Sequence, residues 1–185
     1  MGLNLQNYEL EGSLLEIHEY PDPVLTEIAK EVKSFGPELV DLCKNMLYTM
    51  YQAPGIGLAA PQIGLSQRIF VLDVDYERNE VVEGSDEYIL ENFNPMMFIN
   101  PVIKDKTGTI KYKEGCLSVP GVYEEVNRSK DITVEYQDTN GDQHSINADG
   151  LLSICIQHEN DHLDGVVFLE RLSTLKRNFF KKKFK

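Results

Sequence analysis

An α+β fold, with mostly antiparallel β-sheets around a central helix and one helix before it and one after, is predicted by three observations. Residues 37–52 repeat apolar side chains at three- and four-residue intervals, the period of an amphipathic helix. Residues 98–103 and 132–136 are β-favouring runs, and Thr139-Asn140-Gly141-Asp142 after the second is a hairpin signal. Residues 151–162 are apolar at first and end in two histidines four positions apart, as on an internal helix. At 185 residues and 42% hydrophobic composition the chain suffices for one compact core and is short for two, so a single domain over residues 1–185 is expected.

Taken in order, Leu14-Leu15-Glu16-Ile17 and Tyr20-Pro21-Asp22-Pro23 read as a short extended segment ending in a turn, because proline fixes φ and removes a donor. The first helix follows with Pro37 in its opening turn and Cys43 on its buried face, where a free thiol packs as a small apolar group. Residues 53–64 hold three glycines and two prolines among small apolar side chains, which excludes a regular helix or a central strand. They form either a tight connection to the strand at 68–74 or a loop whose backbone approaches a ligand; no phosphate-loop lysine follows. Residues 75–92 are acidic and marked by breaks, an exposed insertion or hairpin tip. The central helix is expected to start near Asn147, a suitable cap, and to end at Asp164-Gly165. From Ser173 a basic, aromatic and partly exposed helix closes the chain.

Composition narrows the function. No run approaches the roughly 20 apolar residues of a membrane span, and Met1-Gly2-Leu3-Asn4-Leu5-Gln6 lacks both signal-peptide character and a myristoylation serine or threonine. Three widely spaced cysteines argue for a reducing compartment, and a soluble cytoplasmic protein is expected. The net charge is −12 although the last ten residues carry six positive charges, so the rest stands at −18, unsuited to general nucleic-acid binding.

The chemistry lies in Gln157-His158-Glu159-Asn160-Asp161-His162. Residues four apart stack on one helical face, so His158 and His162 can reach one ion while Glu159, beside it, is free to move protons. Leu151, Cys155, His158 and His162 share that face, leading from apolar residues to the metal. Two surface histidines on an ordinary helix are the alternative, but the apolar turns ahead of them favour an internal helix, where two imidazoles and a carboxylate without an ion would be costly. A catalytic site needs a third protein ligand and an open position for water. Cys116, in the shaped turn Glu114-Gly115-Cys116-Leu117-Ser118-Val119-Pro120-Gly121, is the candidate; an inert core thiol is the other reading.

Together, Gly55-Ile56-Gly57-Leu58-Ala59-Ala60-Pro61-Gln62, Glu114-Gly115-Cys116-Leu117-Ser118 and Gln157-His158-Glu159-Asn160-Asp161-His162 resemble the three signature motifs of the peptide deformylases, in order and spacing. The resemblance runs from the Tyr20-Pro21-Asp22-Pro23 region to the C-terminal helix typical of bacterial forms. It implies removal of the formyl group from the N-terminal formyl-methionine of new polypeptides, with release of formate. By the same resemblance, Cys116, His158 and His162 hold one divalent metal with water in the fourth place. Fe²⁺ is implied natively, and Ni²⁺, Co²⁺ or Zn²⁺ can substitute. Glu159 would be general base and then acid, with the Gln62 side-chain amide and the Leu117 N–H stabilising the oxyanion. Ile56, Tyr112, Leu151, Ile154 and Cys155 would line the methionine pocket, and Gly57 would offer backbone hydrogen bonds to the peptide. Where some members place a peptide-contacting arginine, this chain has Tyr123. The partners implied are formyl-methionyl nascent chains and, through the basic C-terminal helix, the ribosome. Two further readings stand beside this one: a small zinc metallopeptidase, which ordinarily takes its third ligand from a downstream His or Glu, and a non-catalytic metal-stabilised peptide-binding module. His18 and His144 have no ligand spacing.

Overall fold

In the computed structural model, residues 9–82, 84 and 87–184 are described. The N-terminal hexapeptide lies outside them, as do three residues of the acidic segment. The first helix, α1 (Pro37–Gln52), begins where the sequence places it: Pro37 occupies the first turn, where a missing N–H costs nothing. Its inner face buries Leu39, Cys43, Met46, Leu47, Met50 and Tyr51. Burial pushes the Cys43 thiol up to about 12, as expected of a packing residue.

A five-stranded antiparallel sheet carries the rest of the core, in the order β1 (Gly57–Ala59), β2 (Ile69–Leu72), β5 (Met96–Thr107), β8 (Asp131–Gln137) and β9 (Gln143–Asp149). All four residues of β2 are buried because the strand has a helix on each face. Strand alternation sends Ile69 and Val71 into the cluster with α1, and Phe70 and Leu72 into the cluster with Cys155 and Ile156 of the second helix, α2 (Gly150–Leu163). Each of these side chains contributes roughly 1.5–3 kcal/mol by leaving water. Phe70 stacks on Phe98 of the neighbouring strand at 4.7 Å between ring centroids.

Two hairpins stand apart from this sheet. β3 (Glu77–Glu80) and β4 (Tyr88–Glu91) form the acidic projection, with the Arg78 guanidinium 4.1 Å from the Tyr88 ring centroid. Buried Asp73 holds its base, accepting from the Tyr51 hydroxyl at 2.6 Å and from the backbone of Asp75, Tyr76 and Asn94. β6 (Ile110–Cys116) and β7 (Val119–Arg128) form the other, closing tightly as Cys116 pairs with Val119.

The glycine-rich residues 53–64 contain the three-residue edge strand β1 and a 3-10 turn, Ala60–Ile63, in keeping with the exclusion of a regular helix or a central strand. The start of α2 differs from expectation. Asn147 belongs to β9, opposite Thr133, whose hydroxyl donates to the Asn147 Oδ1 at 2.9 Å, and the cap position falls to Asp149. Pairing with β8 satisfies the backbone of residues 145–148 as strand, and Gly150 at φ +52° makes the switch to helix. The last helix, α3 (Thr174–Lys183), fully buries none of its residues and is held by half-buried Phe180, packed on the cluster around Phe168 and Leu169, and by ion pairs such as Lys181 to Glu170. Among the described residues, no helix is long and apolar enough to cross a membrane.

Candidate metal centre

Three separate pieces of chain meet in front of α2. The helix brings His158, Glu159 and His162, all buried because α2 runs between the sheet and the rest of the molecule. The β6–β7 hairpin brings Cys116 at a register shift next to Gly115, with Leu117 and Ser118 as its two-residue tip. The 3-10 turn after β1 brings buried Gln62.

The ligand atoms of Cys116, His158 and His162 all lie within 4.8 Å of one another, and Cys116 Sγ is 3.3 Å from His162 Nε2. A single ion with bonds of about 2.0–2.3 Å can span such a set. Two buried polar atoms lack any hydrogen-bond partner here, Glu159 Oε2 and His162 Nδ1. A thiol, two imidazoles and a buried carboxylate oxygen with nothing to bond fit a site built for a metal ion and a water.

The surroundings set the two histidines apart: although burial opposes it, hydrogen bonding to Cys116 and Glu114 holds His158 well above its usual value. Glu114 Oε2 lies 2.8 Å from His158 Nδ1, which leaves Nε2 to face the ion. Burial disfavours the Glu114 carboxylate, yet hydrogen bonds from Arg128 and His158 outweigh it and hold the group at about 2. Arg128 donates to both Glu114 oxygens, at 2.7 and 2.9 Å, and to Asp161 at 2.6 Å, and Asp161 is bridged again by Arg171. Burial also drives His162 well below its usual value, so its imidazole is neutral and can lend a lone pair. For Glu159 burial prevails over the nearby His158 and lifts the carboxyl to about 7.

A cavity of about 390 Å³ opens beside this cluster. Ile56, Tyr112, Leu151, Ile154 and Cys155, expected to line the methionine pocket, border it, as does Gly57, expected to offer backbone hydrogen bonds to the peptide. So do Gln62, Cys116, Leu117, His158 and Glu159. His162 sits fully buried behind the cavity wall. Gln62 Oε1 accepts from the Ala59 N–H at 2.8 Å, which turns Nε2 toward Ser118 Oγ at 3.2 Å and Cys116 Sγ at 3.6 Å. Gly57 packs directly on Glu159; a Cβ there would collide with Glu159 Oε1 and come within 2.9 Å of Cys155 Sγ. Tyr123 lies over Gly115 at the cavity mouth, 65% exposed. No described residue of the acidic segment 75–92 borders the cavity. His18 pairs with Asp22 and His144 with Asp138, both away from the ligand set.

The sequence reading assigned no role to Glu114, Arg128, Asp161 or Arg171, although two of them lie inside the quoted motifs. Charged residues paired across the interior have no local pattern; only the fold shows that residues 14 and 33 positions apart are paired.

A His-Glu-x-x-His pair on an internal helix, completed by a thiol from a hairpin, defines a metallohydrolase centre. A sequence profile described as polypeptide deformylase matches residues 14–178. A peptide deformylase of Chromobacterium violaceum is 46% identical over 173 residues, covering 94% of this chain and 95% of that protein. One of Neisseria meningitidis serogroup C is 44% identical with the same coverage. The crystal structure of a Synechococcus elongatus peptide deformylase in complex with actinonin superposes with a TM-score of 0.79 at 40% identity, covering 94% of this chain and 92% of that one. The chain belongs to the polypeptide deformylase family and is an enzyme, a metal-dependent hydrolase.

Proposed function

We propose that this enzyme removes the formyl group from the N-terminal formyl-methionine of newly made polypeptides and releases formate, using the residues assembled at the metal centre. The observation that carries this reading is the convergence of Cys116 Sγ with the imidazoles of His158 and His162 beside the unpartnered Glu159 carboxylate oxygen and the Gln62 amide. A single divalent ion held by Cys116, His158 and His162, natively Fe²⁺ with Ni²⁺, Co²⁺ or Zn²⁺ able to substitute, supplies Lewis acidity toward water and the formyl carbonyl.

The protein does the rest. Glu159 takes the proton from the attacking water and later delivers it to the leaving amine. Gln62 Nε2 and the Leu117 N–H donate to the oxygen on which negative charge develops, a type of donor worth about 3 kcal/mol each. The methionine side chain enters the apolar cavity formed by Ile56, Tyr112, Leu151, Ile154 and Cys155, and the backbone of Gly57 pairs with the extended peptide. Tyr123 offers a ring rather than a cation to the downstream peptide.

We further assign residues 1–185 to one catalytic domain acting in the cytoplasm on nascent chains. α3, with Leu175 and Phe179 exposed among cations, is proposed to contact the ribosome. Co-sedimentation of the full chain and of a chain lacking residues 173–185 tests that contact, and equal binding rejects it.

The activity is tested by formate release from a formyl-Met peptide after anaerobic iron loading, with casein cleavage measured alongside. Formate without casein cleavage is expected, and Glu159→Ala is expected to lower kcat by at least about 10²-fold. Casein cleavage without formate would establish a peptidase instead.

A further inference from the structure

We infer that residues 17–20 act as a positioning strap that sets the spacing between the two parts of the oxyanion site, a reading that rests on the role proposed above for Gln62 and the β6–β7 tip. Gln62 and the tip are 54–56 residues apart in sequence and sit on different substructures, a 3-10 turn and a hairpin separate from the main sheet. Their side chains are joined by the 3.2 and 3.6 Å hydrogen bonds of Gln62 Nε2. Their main chains are joined by a third segment. The His18 N–H donates to the Gln62 carbonyl at 2.7 Å, and two residues on, the Tyr20 N–H donates to the Ser118 carbonyl at 2.8 Å. A two-residue step, from His18 to Tyr20 where the chain enters a turn, thus carries both donors, and the covalent length of that step limits how far apart the two acceptors can lie.

The strap is itself anchored on both sides. Leu15 N–H donates to Thr49 Oγ1 of α1 at 2.9 Å and Ser13 N–H to Asn45 Oδ1 at 2.8 Å. His18 Nδ1 lies 2.8 Å from Asp22 Oδ2, and its ring rests on Gly64, where a Cβ would come within 2.7 Å of Nε2. Gly64 has φ +78°, so glycine serves both the turn and the seat for the ring. Tyr20 packs its ring edge-to-face on Phe184 at 6.1 Å. None of these strap residues borders the cavity, so they touch neither substrate nor metal ligand atoms through it. Their effect on the reaction is therefore exerted through Gln62 and Ser118. Oxyanion donors act through preorganisation, which a misplacement of 1 Å can undo.

The test measures steady-state deformylation of a formyl-Met peptide by metal-loaded full-length protein. H18P deletes the donor to Gln62, H18A keeps that N–H but frees the segment from Asp22, and H18N retains a donor in the place of Nδ1. Each is made in wild-type and Gln62→Ala backgrounds. H18P is expected to lower kcat about tenfold with KM within twofold and one metal per chain retained. In the Gln62→Ala background the same change is expected to cost less than twofold, because the group it positions is gone. H18A is expected to lower kcat about threefold and H18N to restore it, and this pair decides the matter if H18P does not fold. An unchanged kcat in H18P and H18A, a loss confined to KM or metal content, or full multiplication with Gln62→Ala overturns the strap. Undiminished kcat in Gln62→Ala alone overturns the oxyanion reading beneath it and is recognised from that single variant.

Discussion

Gly57 and Cys155 show how little room the reacting residues have. The close approach of β1 to α2 lets the backbone proposed to pair with the peptide lie against Glu159, and only a residue without a Cβ permits it. Gly57→Ala is expected to force Glu159 aside at a cost of about 1–3 kcal/mol in stability. Formate release should fall by more than tenfold with the metal still bound, as metal analysis of the purified variant will check. The three cysteines are set apart by their surroundings. Burial raises Cys43 to about 12 and Cys155 well above an ordinary thiol, whereas Cys116 is part-exposed at the cavity. In native metal-free protein at pH 8, iodoacetamide should modify Cys116 and leave the other two intact, with protection of Cys116 by added Co²⁺; peptide mass spectrometry distinguishes the three.

At the scale of elements, the buried trio Glu114, Arg128 and Asp161, extended to the surface by Arg171, clamps the β6–β7 hairpin to α2. It holds the helix-borne histidines and the hairpin-borne cysteine in one frame, and its carboxylate orients His158. Glu114→Gln should weaken metal binding 10–100-fold, roughly the cost of removing a carboxylate behind a ligating histidine, as read from competition with a chromogenic chelator. Arg128→Met should do more, because it leaves Glu114 buried without its cation while Asp161 keeps only Arg171, a loss of about 3–5 kcal/mol. Urea unfolding of the metal-free protein measures it, and an unchanged midpoint would show that the pair is dispensable to the fold.

For the whole molecule, the proposed metal ligands come from two elements more than 40 residues apart in sequence, so ion binding should stabilise the fold as well as activate it. At an ion concentration 100 times Kd the gain is about 2.7 kcal/mol. For a chain of this size a chelator should therefore lower Tm by roughly 5–10 °C. Scanning calorimetry before and after metal removal, with Glu114→Gln showing a smaller difference, checks the coupling.

Local patterns carried much of this protein. The period of residues 37–52, the turn at Asn140-Gly141 and the spacing of His158 and His162 each depend on neighbours within a few residues, and α1, the β8–β9 hairpin and the shared face of α2 follow from them. The three motifs likewise pointed to Cys116, Glu159 and Gln62. Local pattern failed where long-range pairing competed. Asn147 is a good helix cap by itself, but β8 claims it as strand, and the short β1 arises only because β2 lies alongside. The partnership of Glu114 with Arg128 and Asp161, and the bridging of Gln62 and Ser118 by the N-terminal segment, were decided by tertiary structure alone. Buried charges and main-chain bonds between distant segments depend on which surfaces the fold brings together, and no periodicity in the sequence records that.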